Sequence, residues 1–80
     1  MKRGYFMNGR IIYATIMNLV ELRNADTYSD EENDSISKTI RILVEKLNET
    51  KYAIENNYKF KFWHNDEEDA FEVYDVNEEA

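Results

Sequence analysis

Positions along the middle of the chain repeat with the spacing of one face of an α-helix. Between residues 35 and 55 the intervals are four, three, four, three and four, at Ile36, Ile40, Leu43, Leu47, Thr50 and Ile54. This period predicts a long amphipathic helix, and Val44 widens the face that would meet a core. Asp34 or Ser35 is expected to cap its first amides.

Residues 10–24 form a second segment with an apolar side. Strand is the alternative for this segment, because it contains adjacent β-branched residues and follows Asn8-Gly9, a type I′ hairpin signal. Strict alternation fails across residues 11–20, because apolar residues occupy odd-numbered and even-numbered positions alike. The pattern therefore favours a helix with Asn8 near its N-cap. The apolar side would consist of Ile12, Tyr13, Ile16, Met17, Leu19 and Val20.

The period changes to two after Asn56-Asn57. Tyr58, Phe60 and Phe62 alternate with lysines, residues 64–69 are polar, and residues 71–76 alternate again. This pattern predicts an antiparallel hairpin, to which residues 2–7 could add a third strand. The expected architecture is therefore α+β: a long helix and a second helix packed on one face of a small antiparallel sheet, with residues 1–80 as a single domain.

Charge is segregated along this predicted fold. The 80 residues carry 17 acidic and 10 basic side chains, a net charge of −7, yet residues 26–34 hold five acids and residues 62–80 hold eight, with no Lys or Arg in either stretch. Such a charge disfavours direct binding to nucleic acid and favours a protein partner with a basic surface. No apolar run is long enough for a membrane span and no signal peptide is evident, so we expect no membrane contact and a cytoplasmic location.

Candidate chemistry is sparse. The chain has no cysteine and one histidine, His64, which lies beside Trp63 in a polar stretch typical of a turn. Gly4 and Gly9 are the only glycines, so no phosphate-binding loop is present, and residues 26–34 lack the glycine of a calcium-binding loop. We therefore expect no enzymatic activity, no cofactor and no metal site, with a small-molecule or metal-binding regulator as a weaker alternative.

The aromatic residues of the hairpin suggest where a partner would bind. Trp63 has the opposite parity to Phe60 and Phe62 in the first strand, and Tyr74 has the opposite parity to Phe71 and Val73 in the second, so both should face outward beside the acidic turn. An aromatic anchor surrounded by charge is typical of protein-binding surfaces. The predicted partner-binding residues are Trp63, Asp66, Glu67, Glu68, Asp69, Glu72, Tyr74 and Asp75 in the hairpin, with Asp30, Glu31 and Glu32 in the first acidic run.

In size, acidity, aromatic content and its WHNDEEDAFEVYD segment, the chain resembles small acidic proteins of bacteriophages and mobile elements that disable host defences, including anti-CRISPR and anti-restriction proteins. The resemblance implies a stoichiometric inhibitor in the host cytoplasm that blocks the basic nucleic-acid-binding site of a defence protein, by mimicking DNA or by locking a conformation. The alternative is a structural or regulatory adaptor that forms a homodimer, or binds a partner helix, through its heptad-patterned helix.

Overall fold

The computed structural model describes residues 8–79, and its elements confirm the α+β fold. Three helices, α1 (Gly9–Ala25), α2 (Asp30–Asn48) and α3 (Lys51–Glu55), precede two strands, β1 (Phe60–Asn65) and β2 (Ala70–Asp75). A short 3₁₀ helix, Val76–Glu79, follows β2. The predicted third strand at residues 2–7 lies outside the described residues.

Residues 10–24 are helical, as the apolar pattern indicated. The side chain of Asn8 caps α1 by accepting a hydrogen bond from the Ile11 amide at 3.0 Å. Ile12, Ile16 and Val20 are buried on its inner side. The helix ends at Asp26, whose left-handed φ of 54° turns the chain towards α2.

The start predicted for the long helix is wrong by five residues. Helix α2 begins at Asp30, and Ser29 forms a capping box with Glu32: the Ser29 hydroxyl accepts from the Glu32 amide, and the Glu32 carboxylate accepts from the Ser29 amide. Three acids therefore occupy the first helical turn, where the positive end of the helix dipole stabilises them. Much of the first acidic run is helix.

The predicted helix over residues 35–55 is also divided in two. Thr50 donates to the Leu47 carbonyl at 2.6 Å and accepts from the Ala53 amide, so it ends one helix and caps the next. Because of this break, the stripe of residues predicted to be buried does not stay in the core from α2 into α3. Ile54 is 67% exposed, whereas Ile40, Val44 and Leu47 are buried.

The C-terminal hairpin is confirmed, with an antiparallel register that pairs Phe60 with Asp75 and Asn65 with Ala70. Phe60 and Val73 enter the core, which also contains Ile16 and Leu47 from the helices. Among residues 8–79 the sheet has two strands. One sheet face packs on α1 and α2, and the other carries Trp63.

Two asparagine side chains join the helices to the outer edges of this hairpin. Asn48 of α2 accepts from the Phe60 amide at 2.8 Å and donates to the Phe60 carbonyl at 3.0 Å. Asn24 of α1 makes the same pair of bonds with Phe71, at 2.7 and 3.0 Å. Each carboxamide occupies the place that a peptide group of a further strand would take, so it satisfies edge backbone groups and fixes the hairpin on the helices.

Candidate functional site

The outer face of the hairpin carries an aromatic pair. Trp63 on β1 is 41% exposed, and its ring meets Tyr74 of β2 edge-on with centroids 5.7 Å apart. Glu72 lies opposite Trp63, and its carboxylate accepts a hydrogen bond from Asn65. Trp63 and Tyr74 therefore share one sheet face, as their positions in the strands predicted. Trp63 is exposed, whereas Tyr74 is half-buried and lines a cleft with Tyr13 of α1 and Tyr52 of α3.

The turn between the strands presents four acids. Asp66 and Asp69 are almost fully exposed, at 94% and 93% of their side chains. The Asn65 side chain accepts from the Glu67 amide at 3.0 Å, and Asp69 has a left-handed φ of 53°. Because asparagine and aspartate tolerate these turn geometries, the local sequence fixes the turn and leaves its carboxylates in solvent.

His64 lies between the acids of this turn. Its Nδ1 is 2.8 Å from an Asp66 carboxylate oxygen, and its Nε2 is 3.2 Å from an Asp69 oxygen. The ring meets Phe71 edge-on, with centroids 4.7 Å apart. These contacts tie the turn to the strands.

A groove of about 660 Å³ separates the two long helices from the hairpin turn, and we call it the helix–hairpin groove. The Arg23 guanidinium lies 4.4 Å from the Phe71 ring centroid, and its Nε donates to Ser37 Oγ at 3.1 Å. Arg41 lies over Phe62 at 5.6 Å. Both arginines rest on aromatic rings of the hairpin, where cation–π attraction adds to packing.

Four carboxylates line the same groove, and they come from both acidic runs. Asp26, Asp30 and Asp34 belong to the first run, and Asp69 belongs to the hairpin turn. We use the term acidic end for these four residues together with Glu31 and the turn acids Asp66, Glu67 and Glu68. Two segments more than thirty residues apart in sequence thus form one surface.

Asn33 is the most enclosed polar residue of the groove. It is 5% exposed, and its Nδ2 donates to an Asp26 carboxylate oxygen at 2.9 Å and to the Tyr28 carbonyl at 3.3 Å. Its Oδ1 has no hydrogen-bond partner among the described residues. The two donated bonds tie the start of α2 to the end of α1, and so hold the first acidic run in position.

The remaining predicted residues have local partners. Glu32 belongs to the capping box of α2. Asp75 lies at the end of the hairpin opposite the turn, where its Oδ1 accepts from the amides of Lys59 and Asn77. These two acids therefore stabilise local backbone, while Asp30, Glu31 and the turn acids carry the exposed charge.

Sequence reasoning missed the groove residues Arg23, Asn33, Ser37, Arg41 and Phe71. One signal was present: Ser37 and Asn33 continue the buried face of Ile40, Val44 and Leu47 by one and two turns, respectively, towards the N-terminus. Because both residues are polar, a search for apolar spacing passes over them.

Within residues 8–79, no three His, Asp or Glu side chains are grouped as a metal ion would require. No helix in this range is long and apolar enough to span a membrane.

The protein is a small α+β protein in which two long helices pack on a hairpin. Comparison of the chain with protein families, with curated proteins and with solved structures gave no match.

Proposed function

We propose that the protein is a non-enzymatic inhibitor that binds another protein through its acidic end and Trp63. The partner would be a nucleic-acid-handling protein, engaged at the basic surface that otherwise holds phosphates. The observation that carries this proposal is the convergence of both acidic runs on one groove, beside a hairpin face with an exposed tryptophan. An inhibitor of host defence, of the phage-encoded kind that the sequence resembles, is the biological role we infer.

Electrostatics supports this choice of partner. A basic surface that recognises nucleic acid attracts a concentrated group of carboxylates over a distance of about 10 Å at 0.1 M salt. Arg23 and Arg41 reduce the negative charge of the groove, but both guanidinium groups lie over rings of the hairpin. Asp26 and Asp34 also pair with Arg23 and Lys38, at 4.0 and 3.2 Å. The four turn acids have no Lys or Arg partner among the described residues, so they carry the charge that would attract a basic surface. Trp63 supplies apolar area for a close contact.

The helix-mediated adaptor is less well supported. Within the heptad stripe, Ile40 and Leu47 are buried in the core of the same chain, and Ile36 and Leu43 are partly buried against it. A partner helix could reach them only if this core opened. The apolar side chains exposed on α2 and α3, Ile42 and Ile54, do not form a heptad seam.

The test is a charge-matched pair of variants. In the first, the four turn acids become amides: Asp66→Asn, Glu67→Gln, Glu68→Gln and Asp69→Asn. In the second, four exposed glutamates elsewhere change in the same way: Glu21→Gln, Glu45→Gln, Glu49→Gln and Glu55→Gln. Each protein is immobilised and incubated with a lysate of the host cell. Retained proteins are eluted with double-stranded DNA and identified.

The wild type and the second variant should retain the same DNA-eluted protein, and the turn variant should lose it. Association of that purified protein should then slow by about tenfold or more with the turn variant at low salt, because steering acts on the association rate. Trp63→Ala should mainly speed dissociation. Equal binding by the two charge variants would refute the role of the acidic end.

A further inference from the structure

A second concave surface lies near the other end of the hairpin and is built from aromatic rings. Tyr13 of α1 and Phe60 of β1 have centroids 5.5 Å apart, with ring planes at 45°. Phe60 and Tyr58 follow at 5.4 Å and 52°, then Tyr58 and Tyr52 of α3 at 5.4 Å and 58°. Each ring is tilted against the next, so the four rings form a continuous aromatic wall.

This wall lines a cleft of about 350 Å³ that also contains two carboxylates, Asp75 and Glu78. We call it the aromatic cleft. The Lys59 and Asn77 amides hold the Asp75 carboxylate in place at 2.8 and 3.1 Å. Among the described residues, none that lines the cleft is a lysine, arginine or histidine. Its charge is therefore negative and its walls are largely aromatic.

We propose that the aromatic cleft binds an organic cation with an alkylated ammonium group. The faces of tyrosine and phenylalanine rings attract cations, and alkyl groups on nitrogen gain apolar contact with the same rings. A small metal ion or a primary ammonium is strongly hydrated and needs more oxygen ligands than two carboxylates supply. An alkylated ammonium loses less hydration on entry, and Asp75 and Glu78 balance its charge.

The cleft is separate from the acidic end, and the proposal does not depend on the inhibitor function. Asp75 pairs with Phe60 at the open end of the hairpin, whereas the turn acids lie beyond the pair formed by Asn65 and Ala70. Tyr74 lines the cleft and also contacts Trp63. Changes to the turn acids and to Glu78, which lie at opposite ends of the hairpin, therefore separate the two proposals, which can fail independently.

The full-length protein should be titrated with choline and, in parallel, with its uncharged isostere 3,3-dimethyl-1-butanol, followed by NMR. We expect choline to produce saturable shifts in the ring signals of Tyr13, Tyr52 and Tyr58 with a dissociation constant of about 1 mM. Ring currents should also shift the choline methyl signal. The isostere should bind about fivefold more weakly, because it lacks the cation–π attraction.

Glu78→Gln removes one carboxylate of the cleft, and Glu67→Gln makes the same change in the hairpin turn. The Glu78 variant should weaken choline binding severalfold and leave isostere binding unchanged, and the Glu67 variant should bind both as the wild type does. Tyr52→Leu should abolish the choline preference. If that variant fails to fold, the glutamate pair still decides the question. Absence of saturable shifts, equal binding of choline and isostere, or equal effects of the two glutamate changes would overturn the proposal.

Discussion

Single polar residues fix how the parts of this protein fit together. Asn24 and Asn48 each use both groups of one carboxamide on one strand residue, and Asn33 links the end of α1 to the start of α2. Buried or half-buried backbone groups are costly when unpaired, so each asparagine satisfies groups that water cannot fully reach. Asn24 and Asn48 bond to residues 47 and 12 positions away, so no local spacing marks these two clamps.

Asn48→Ala should therefore destabilise the protein by about 1–3 kcal/mol, since it leaves the amide and carbonyl of Phe60 without partners. Asn18→Ala is the control, because Asn18 is exposed on α1 and replacement by alanine favours a helix. Urea unfolding followed by circular dichroism measures both changes. Similar stabilities for the two variants would show that the Asn48 clamp contributes little.

At the scale of elements, helix limits depend on capping. The apolar spacing identified the helical content of residues 35–55 correctly, but the caps at Ser29 and Thr50 moved the start and inserted a break. The acidic run before residue 35 has the composition of a solvated loop. It becomes helical because the capping box and the helix dipole both favour acids in a first turn.

Replacing the observed cap and the predicted cap distinguishes the two assignments. Ser29→Ala should lower the free energy of unfolding by about 1 kcal/mol, since it removes the acceptor for the Glu32 amide. Ser35→Ala, which lies within α2 and is exposed, should be neutral or slightly stabilising. Thermal unfolding of the two variants provides the measurement, and a larger loss for Ser35 would contradict the cap at Ser29.

At the scale of the whole molecule, folding brings like charges together. Asp26, Asp30 and Asp34 share a groove with Asp69, although the net charge of the chain is already −7. Such a concentration of like charge opposes compaction. The cations of Arg23 and Arg41 in the same groove reduce this repulsion. A surface that costs stability is well suited to binding a cationic partner, because complex formation relieves the same repulsion.

Stability should therefore rise with salt. Between about 20 mM and about 500 mM NaCl, screening should increase the free energy of unfolding of the wild type by about 1 kcal/mol. The variant without the four turn acids should show a smaller increase than the variant without the four dispersed glutamates. Denaturant titrations at each salt concentration test this, and equal salt dependence in the two variants would mean that the acidic end is not a focus of repulsion.

The sequence by itself determined the α+β class, the two amphipathic helices, the hairpin with its polar turn, and the exposure of Trp63 on the outer face of that hairpin. These features follow from periods of 3.6 and 2 residues, which are local and are set by backbone geometry. Tertiary structure decided the rest.

Three features join residues from different elements: the shared groove of the two acidic runs, the arginines over Phe71 and Phe62, and the four-ring aromatic wall. Such contacts depend on how helices and hairpin pack, and packing is set by the shapes of whole faces and by single asparagine clamps, which no local spacing encodes.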